Sequence, residues 1–226
     1  MISVLLPTRN RPDSLARLLA SSLDTAATEV EFVVYVDDDD PTYATNAEVL
    51  ARYGGRLVSG PRVVLSEMWN RCYAHASFDV VMQCGDDIVF RSDNWDARVL
   101  DEFDTVSDKI LFVHGDDGFQ HEKIGTHGFL HRNWVDAVGY FLPPYFSSDY
   151  NDLWLTEVAD ALGRRRYLPD VYTEHMHPVV GKGTWDVTHQ ERLVRHQRDD
   201  VARIYRERAA DRAADVAKLR LVMSGS

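Results

Sequence analysis

Two adjacent carboxylates, Asp86 and Asp87, stand in the stretch DVVMQCGDDIVF, just after the apolar run Val80-Val81-Met82 and the pair Cys84-Gly85. Neighbouring carboxylates are costly to bury unless a cation neutralises them. Oxygen-only ligands favour Mg²⁺ or Mn²⁺, ions that commonly bridge to nucleotide phosphates. A solvated Gly-Asp-Asp turn is the other reading of the same residues. A second carboxylate group, Asp37 to Asp40, follows the apolar run EFVVYV. Arg9, Arg11 and Arg62 lie just past segments that read as strands. Carboxylates for a base, a ribose and a metal, with cations for phosphate, suit a nucleoside diphosphate. Near the other end, VYTEHMHP reads as a strand whose alternation puts His175 and His177 on one face.

The elements that must position these groups alternate from the first residue. Ile2 to Pro7 reads as a strand, Pro12 opens a helix carrying Leu15, Leu18 and Leu19, and Glu31 to Val36 is a second buried strand. A helix over 42–53 stops at Gly54-Gly55, a short strand follows over 56–59, and a helix over 65–76 precedes the Val80 strand. This is the pattern of a parallel sheet with helical crossovers. Ligands of such sheets sit beyond the carboxyl ends of the strands, so both acidic clusters are expected on one edge. Further on, 95–103 reads as a helix, 110–114 as a strand, and the helix after Ser147-Ser148-Asp149 runs to Leu162. From Thr188 the spacing of Val194, Val201, Ile204 and Tyr205 predicts one long C-terminal helix, with 224–226 as a trailing end.

The chain has 226 residues and a formal charge of −11, with 45% hydrophobic and 11% aromatic residues. That material builds a real core, and the charge argues against a surface made chiefly to grip nucleic acid. The balance is uneven: from Glu191 to Arg220 there are nine Lys/Arg against six Asp/Glu, a net +3 that leaves −14 elsewhere. A docking surface or a solvated, ion-paired helix face both explain that segment. No apolar run approaches the ~20 residues that cross a bilayer. No signal peptide is visible, and Cys72 and Cys84 form no recognisable pair or metal spacing, so a cytoplasmic location is expected. His114, His121, His127 and His131 keep no metal-helix spacing and read as strand-end and loop residues.

ISVLLPTRNRPDSL, then EFVVYVDDDD, then Gly-Asp-Asp after a buried strand, resembles the opening half of a family 2 glycosyltransferase with the GT-A fold. The resemblance covers most of residues 1–185. It implies an α/β fold: a Rossmann-like, mixed, mainly parallel sheet flanked by helices. Residues 1–186 would form that domain, and 187–226 a helical extension packing on it or on a second subunit as a homodimer. By resemblance, Pro7, Thr8 and Asp38 line the base, with Asp37 beside them, and Asn70 holds a helix position found near the donor. Asp86 and Asp87 would hold the divalent ion, Mn²⁺ or Mg²⁺, and the donor diphosphate. Cys84 stands where the first aspartate of an Asp-x-Asp motif usually is, so the division of roles between Asp86 and Asp87 stays open. Asp149 matches the place of the catalytic base, with Asp152 as the alternative, although Ser147, Ser148 or Asp149 also suits a helix N-cap. His177, with His175 as runner-up, would complete the metal's coordination, and Lys182 would neutralise the leaving diphosphate.

The implied activity is an inverting transfer of sugar from a nucleotide-diphosphate donor, a UDP-sugar first, to an acceptor hydroxyl. The acceptor classes left open are a saccharide, a protein, a small molecule or a modified nucleic acid. A sugar nucleotidyltransferase shares a similar architecture, but PTRNRP lacks the Gly-rich loop that cradles a triphosphate. A non-catalytic nucleotide- or cation-binding domain of the same fold is the other rival.

Overall fold

Period-two alternation in the first strands sorts side chains onto two faces, and that sorting organises the molecule. The computed structural model describes residues 1–225. In Ile2–Thr8 (β1) and Val30–Asp37 (β2), Ile2, Val4, Leu6, Phe32, Val34 and Val36 pack into one core cluster. Leu5, Val33 and Tyr35, the residues between them, pack into another. The first cluster receives Leu15, Leu18 and Leu19 of Pro12–Thr25 (α1) and Leu50 of Tyr43–Tyr53 (α2). Arg56–Gly60 (β3) follows α2, whose end is closed by Gly54 at φ 77. Leu65–Tyr73 (α3) then turns Trp69 and Cys72 into the second cluster before Val80–Gln83 (β4).

The short Ile88–Phe90 (β5) has no counterpart among the expected elements, because three apolar residues carry no period. Trp95–Asp104 (α4) and Phe112–Asp116 (β6) follow close to the expected positions, and then come Gly128–His131 (β7) and Arg132–Val138 (α5). Asn151–Leu162 (α6) leads into Arg165–His175 (β8). β8 begins well before the expected Val171 and ends at His175, so His177 lies beyond it. There its Nδ1 accepts from the Val179 N–H and caps the turn Pro178–Val180.

The eight strands form one mixed sheet in the order β3-β2-β1-β4-β7-β6-β8-β5. β3, β2, β1 and β4 run parallel, β7 is antiparallel to β4 and β6, β6 and β8 are parallel, and β5 is antiparallel to β8. This is the GT-A-type, Rossmann-like arrangement, with helices on both faces.

The single C-terminal helix is replaced by three: Val187–Arg198 (α7), Val201–Glu207 (α8) and Ala209–Ser224 (α9). The first break falls at Asp199-Asp200, where Asp200 takes φ 44 and its side chain caps α8 by accepting from the Arg203 N–H. Aspartate competes well for backbone donors outside a helix, a preference that spacing of apolar residues does not reveal. Val201, Tyr205 and Leu219 join the second cluster, and buried Asp215 accepts from Tyr140 Oη and from Trp154 Nε1 at 3.1 Å. α9 thus packs along α5 and α6. Ser224 closes α9, and Ser226 lies outside the described residues. Among the described residues no helix is long and apolar enough to cross a membrane.

Candidate active site

Because β1, β2 and β4 are parallel, Thr8, Asp37 and the Gly85-Asp86-Asp87 turn emerge on the same edge. They open into a cleft of about 1330 Å³. Its walls include Pro7, Thr8, Arg9, Arg11, Asp37, Arg62, Asp86, Asp87, Asp149, Asp152, His175 and His177. Residues far apart in sequence are gathered by topology alone.

The two neighbouring carboxylates have separate surroundings. Asp86 Oδ2 accepts from Thr8 Oγ1 at 2.8 Å, and Oδ1 accepts from Arg11 Nη1 at 2.9 Å. Burial pushes this carboxyl up, against the pull of the guanidinium. Arg11 also grips Asp186 with two bonds, Nε to Oδ2 at 2.7 Å and Nη2 to Oδ1 at 2.8 Å. Asp186 in turn caps α7 in a capping box with His189. Arg11 therefore pins the start of α7 to the end of β4.

Asp87 is directed elsewhere. Its Oδ2 lies 3.4 Å from His175 Nε2, and His175 Nδ1 lies 3.6 Å from Asp117 Oδ2. Burial alone would raise the Asp87 carboxyl, but His175 holds it well below the usual range. Burial alone would lower the His175 imidazole, but Asp117 and Asp87 lift it to about 9. His127 packs beneath, with Nδ1 accepting from the Gly85 N–H at 3.3 Å. Burial, then the neighbouring His175, push His127 down to about 4, and the same two causes bring His177 to about 4. A Cβ at position 85 would sit 2.9 Å from Asp87 Oδ1 and 3.3 Å from the His127 ring, so a larger residue there would move the Asp87 carboxylate. Among the described residues, no three His, Cys, Asp or Glu side chains converge tightly enough to cage an ion unaided.

At the β2 end, Asp37 Oδ2 accepts from Arg9 Nη1 at 3.1 Å and faces Arg62 Nε at 3.8 Å. Its buried Oδ1 has no hydrogen-bond partner, and burial raises this carboxyl. Arg62 also pairs with Glu191 of α7.

Across the cleft, Asp149 is clamped by Arg192 Nη1 at 2.8 Å and His196 Nδ1 at 2.6 Å, both from α7. The Asp152 carboxylate, in the first turn of α6, accepts from the Leu153 N–H at 2.8 Å through Oδ1. Burial pushes its carboxyl up to about 6, and the Asp149 charge adds to the shift.

Three expected donor contacts fall outside the cleft. Asn70 spends its amide on the α5–α6 connection, Oδ1 accepting from Phe141 and Leu142 N–H and Nδ2 donating to Leu142 C=O. Asp38 is exposed, in the turn that follows the end of β2 at Asp37. Lys182 is drawn off by Glu174 at 2.8 Å and Tyr172 Oη at 3.0 Å. Conversely, Asp117, His127, Asp186, His189, Arg192 and His196 carried no legible role. Only the Asp186-x-x-His189 spacing hints at a cap.

The sequence matches the model of glycosyl transferase family 2 over residues 3–197. The chain belongs to this family. The match reaches into α7, the helix that closes one side of the cleft. No curated protein sequence matches this glycosyltransferase. Among solved structures, it is similar to the mannosyltransferase PcManGT from Pyrobaculum calidifontis, with TM-score 0.62 and 14% identity over 99% of this chain and 74% of that one. Glucosyl-3-phosphoglycerate synthase from Mycobacterium tuberculosis gives TM-score 0.60 and 16% identity, over 78% and 72%. S. aureus TarS residues 1–349 give 0.58 and 14%, over 76% and 59%. At these identities the likeness establishes the fold.

Proposed function

We propose that this enzyme moves a sugar from a nucleoside diphosphate donor to an acceptor hydroxyl in a single inverting displacement. The observation that carries the reading is the division of charge in the cleft. Asp37 offers an unpaired, buried acceptor oxygen at one end, and Asp87 a carboxylate bound to no cation other than His175. Arg9, Arg11 and Arg62 lie between strand ends on the same edge. An N–H of the base would bond Asp37 Oδ1, with Pro7 and Thr8 along the cleft wall.

Mn²⁺ or Mg²⁺ fits beside Asp87 and His175. Asp86 has both oxygens engaged, so Asp87 is the available oxygen ligand, and the His175 ring stands next to it. Magnesium-type sites use one or two protein ligands, with substrate phosphates and water completing the shell. Bound there, the ion would act as a Lewis acid on the departing diphosphate. The PcManGT structure holds GDP-Man and Mn²⁺, and structures of the M. tuberculosis synthase hold Mg²⁺ with UDP and Mn²⁺ with UDP-Glc.

As base, Asp152 is favoured over Asp149. Asp149 is paired with Arg192 and bonded to His196, whereas Asp152 lines the cleft without a cationic partner and with its carboxyl raised toward neutrality. A base works best with a pKa near the working pH. Asp152 would take the acceptor hydroxyl proton as that oxygen attacks the anomeric carbon.

The test is a calorimetric titration of UDP, then GDP, with and without Mn²⁺, on wild type and Asp87→Ala. Metal-dependent binding of one nucleotide, lost in the variant, supports the reading. No binding of either nucleotide with any divalent ion rejects it.

A further inference from the structure

The His175 ring stands between two carboxylates, and only one of them, Asp87, lines the cleft. The other, Asp117, is 2% exposed and lies behind the ring, 3.6 Å from Nδ1. Asp117 is held unusually firmly. Its Oδ1 accepts from the N–H groups of Phe119, Gln120 and His121 at 2.8, 2.6 and 3.0 Å. Its Oδ2 accepts from Thr126 Oγ1 at 2.8 Å. The backbones are tied as well, with His175 N–H donating to the Asp117 carbonyl at 2.9 Å. His175 Nδ1 is buried and has no hydrogen-bond partner among the described residues, and Asp117 Oδ2 stands 3.6 Å from it. The rings of His127, Phe119 and His177 stand around the same imidazole, with centroids 4.8, 6.0 and 5.2 Å away.

We infer that Asp117 is a positioning residue. It holds the proton of His175 on Nδ1 and turns Nε2 toward Asp87 and the cleft. An imidazole that ligates a metal through one nitrogen commonly donates the other N–H to a carboxylate, which fixes ring orientation and tautomer. Here that carboxylate is built into the 117–126 loop, whose backbone amides fix Asp117 before any ligand arrives. A ring set in this way aims Nε2 at the cleft with little reorientation, and the proton that Nε2 carries beside Asp87 would leave when an ion binds. This inference rests on the proposed role of His175 beside the divalent ion, and its test separates the two.

The probe is Mn²⁺ titrated calorimetrically into the enzyme saturated with UDP or GDP, whichever binds. Asp117→Asn keeps the Oδ1 acceptor for the loop amides and replaces Oδ2 by a donor facing Nδ1. It should weaken Mn²⁺ binding about 10- to 100-fold. In a His175→Gln background the same substitution should change Mn²⁺ affinity less than about twofold, since the route through the ring is already gone. Independently of metal, a ¹⁵N-resolved spectrum of wild type should show a slowly exchanging Nδ1 proton, assigned by its absence in His175→Gln. That proton should be lost or exchange rapidly in Asp117→Asn. Unchanged Mn²⁺ affinity in Asp117→Asn, or an equal loss in both backgrounds, overturns the inference, as does a wild-type spectrum without the Nδ1 proton. Absence of Mn²⁺ binding to wild type in the presence of the nucleotide instead overturns the metal reading, while the Nδ1 proton still reports on Asp117.

Discussion

The sharpest consequence of the structure concerns Asp152. Its carboxyl, raised by burial to about 6, must be ionised to accept a proton, so activity should fall as pH drops through that value. At pH 5 such a group is only about 9% ionised, a roughly tenfold drop from the plateau, whereas an ordinary aspartate near 3.9 loses less than about a tenth. The assay is release of nucleoside diphosphate from the sugar donor between pH 4.5 and 8, on wild type, Asp152→Asn and Asp149→Asn. Asp152→Asn should lower kcat about 10²- to 10⁴-fold, the range for losing a general base. Stability gives a second, opposite readout. A carboxyl whose folded-state pKa exceeds its unfolded one destabilises the fold when ionised, a penalty absent below about 4 and fully developed above about 6. Removing the charge should therefore make Asp152→Asn more stable than wild type at pH 7.5 by up to about 2 kcal/mol, after discounting for the part of the side chain open to the cleft. That gain should vanish near pH 4. An acid limb near 4, or a loss of kcat in Asp149→Asn with Asp152→Asn unaffected, refutes the assignment.

Three further expectations use other parts of the cleft. Asp37→Asn should weaken nucleotide binding about 10- to 100-fold in calorimetry, the cost of losing a charged hydrogen bond, with an unchanged Kd counting against its place at the base. Arg11→Ala leaves Asp86 and Asp186 without their shared cation and should cost about 3–5 kcal/mol in urea denaturation; a loss under about 1 kcal/mol would show that the buried pair is not what ties α7 to β4. Asn70→Ala frees buried backbone groups at Phe141 and Leu142 and should cost about 1–3 kcal/mol, with the nucleotide Kd unchanged. A weaker Kd at equal stability would return Asn70 to the donor site.

Much of the framework is legible in residue order. The parallel strands β1 to β4 announce themselves as apolar runs ending in turn residues, and the rule that ligands gather beyond such ends puts Thr8, Asp37 and Asp86 in one place. What residue order does not carry is the residue at which a strand gives way to its turn. Asp37 and Asp38 are adjacent, but Asp37 ends the strand at the cleft while Asp38 begins the exposed turn after it. Asn70 and Lys182 illustrate a second limit. Each has the right chemistry, but a backbone segment or a neighbouring carboxylate, known only from tertiary packing, claims it first. The same limit hides Asp117 and His127, whose partners come from β8 and the β4 turn.

The behaviour of α7 follows from how strongly each of its pairs is held. Arg11–Asp186 is bidentate, with the Arg11 side chain 11% exposed and also bonded to buried Asp86, so its two bonds add geometric constraint although Asp186 is 36% exposed. Arg62–Glu191 has side chains 42% and 34% exposed, a setting in which ion pairs contribute about 0–1 kcal/mol. On the proposed reading, a diphosphate entering the cleft would displace Glu191 from Arg62 at little cost and leave Asp186 on Arg11. On that reading Arg62 would exchange a carboxylate for phosphate, while Arg11 keeps Asp86 occupied. With Asp86 so occupied, Asp87 would be the one of the adjacent pair to meet the proposed divalent ion. One arginine, placed just past the end of β1, is what makes two neighbouring carboxylates chemically different.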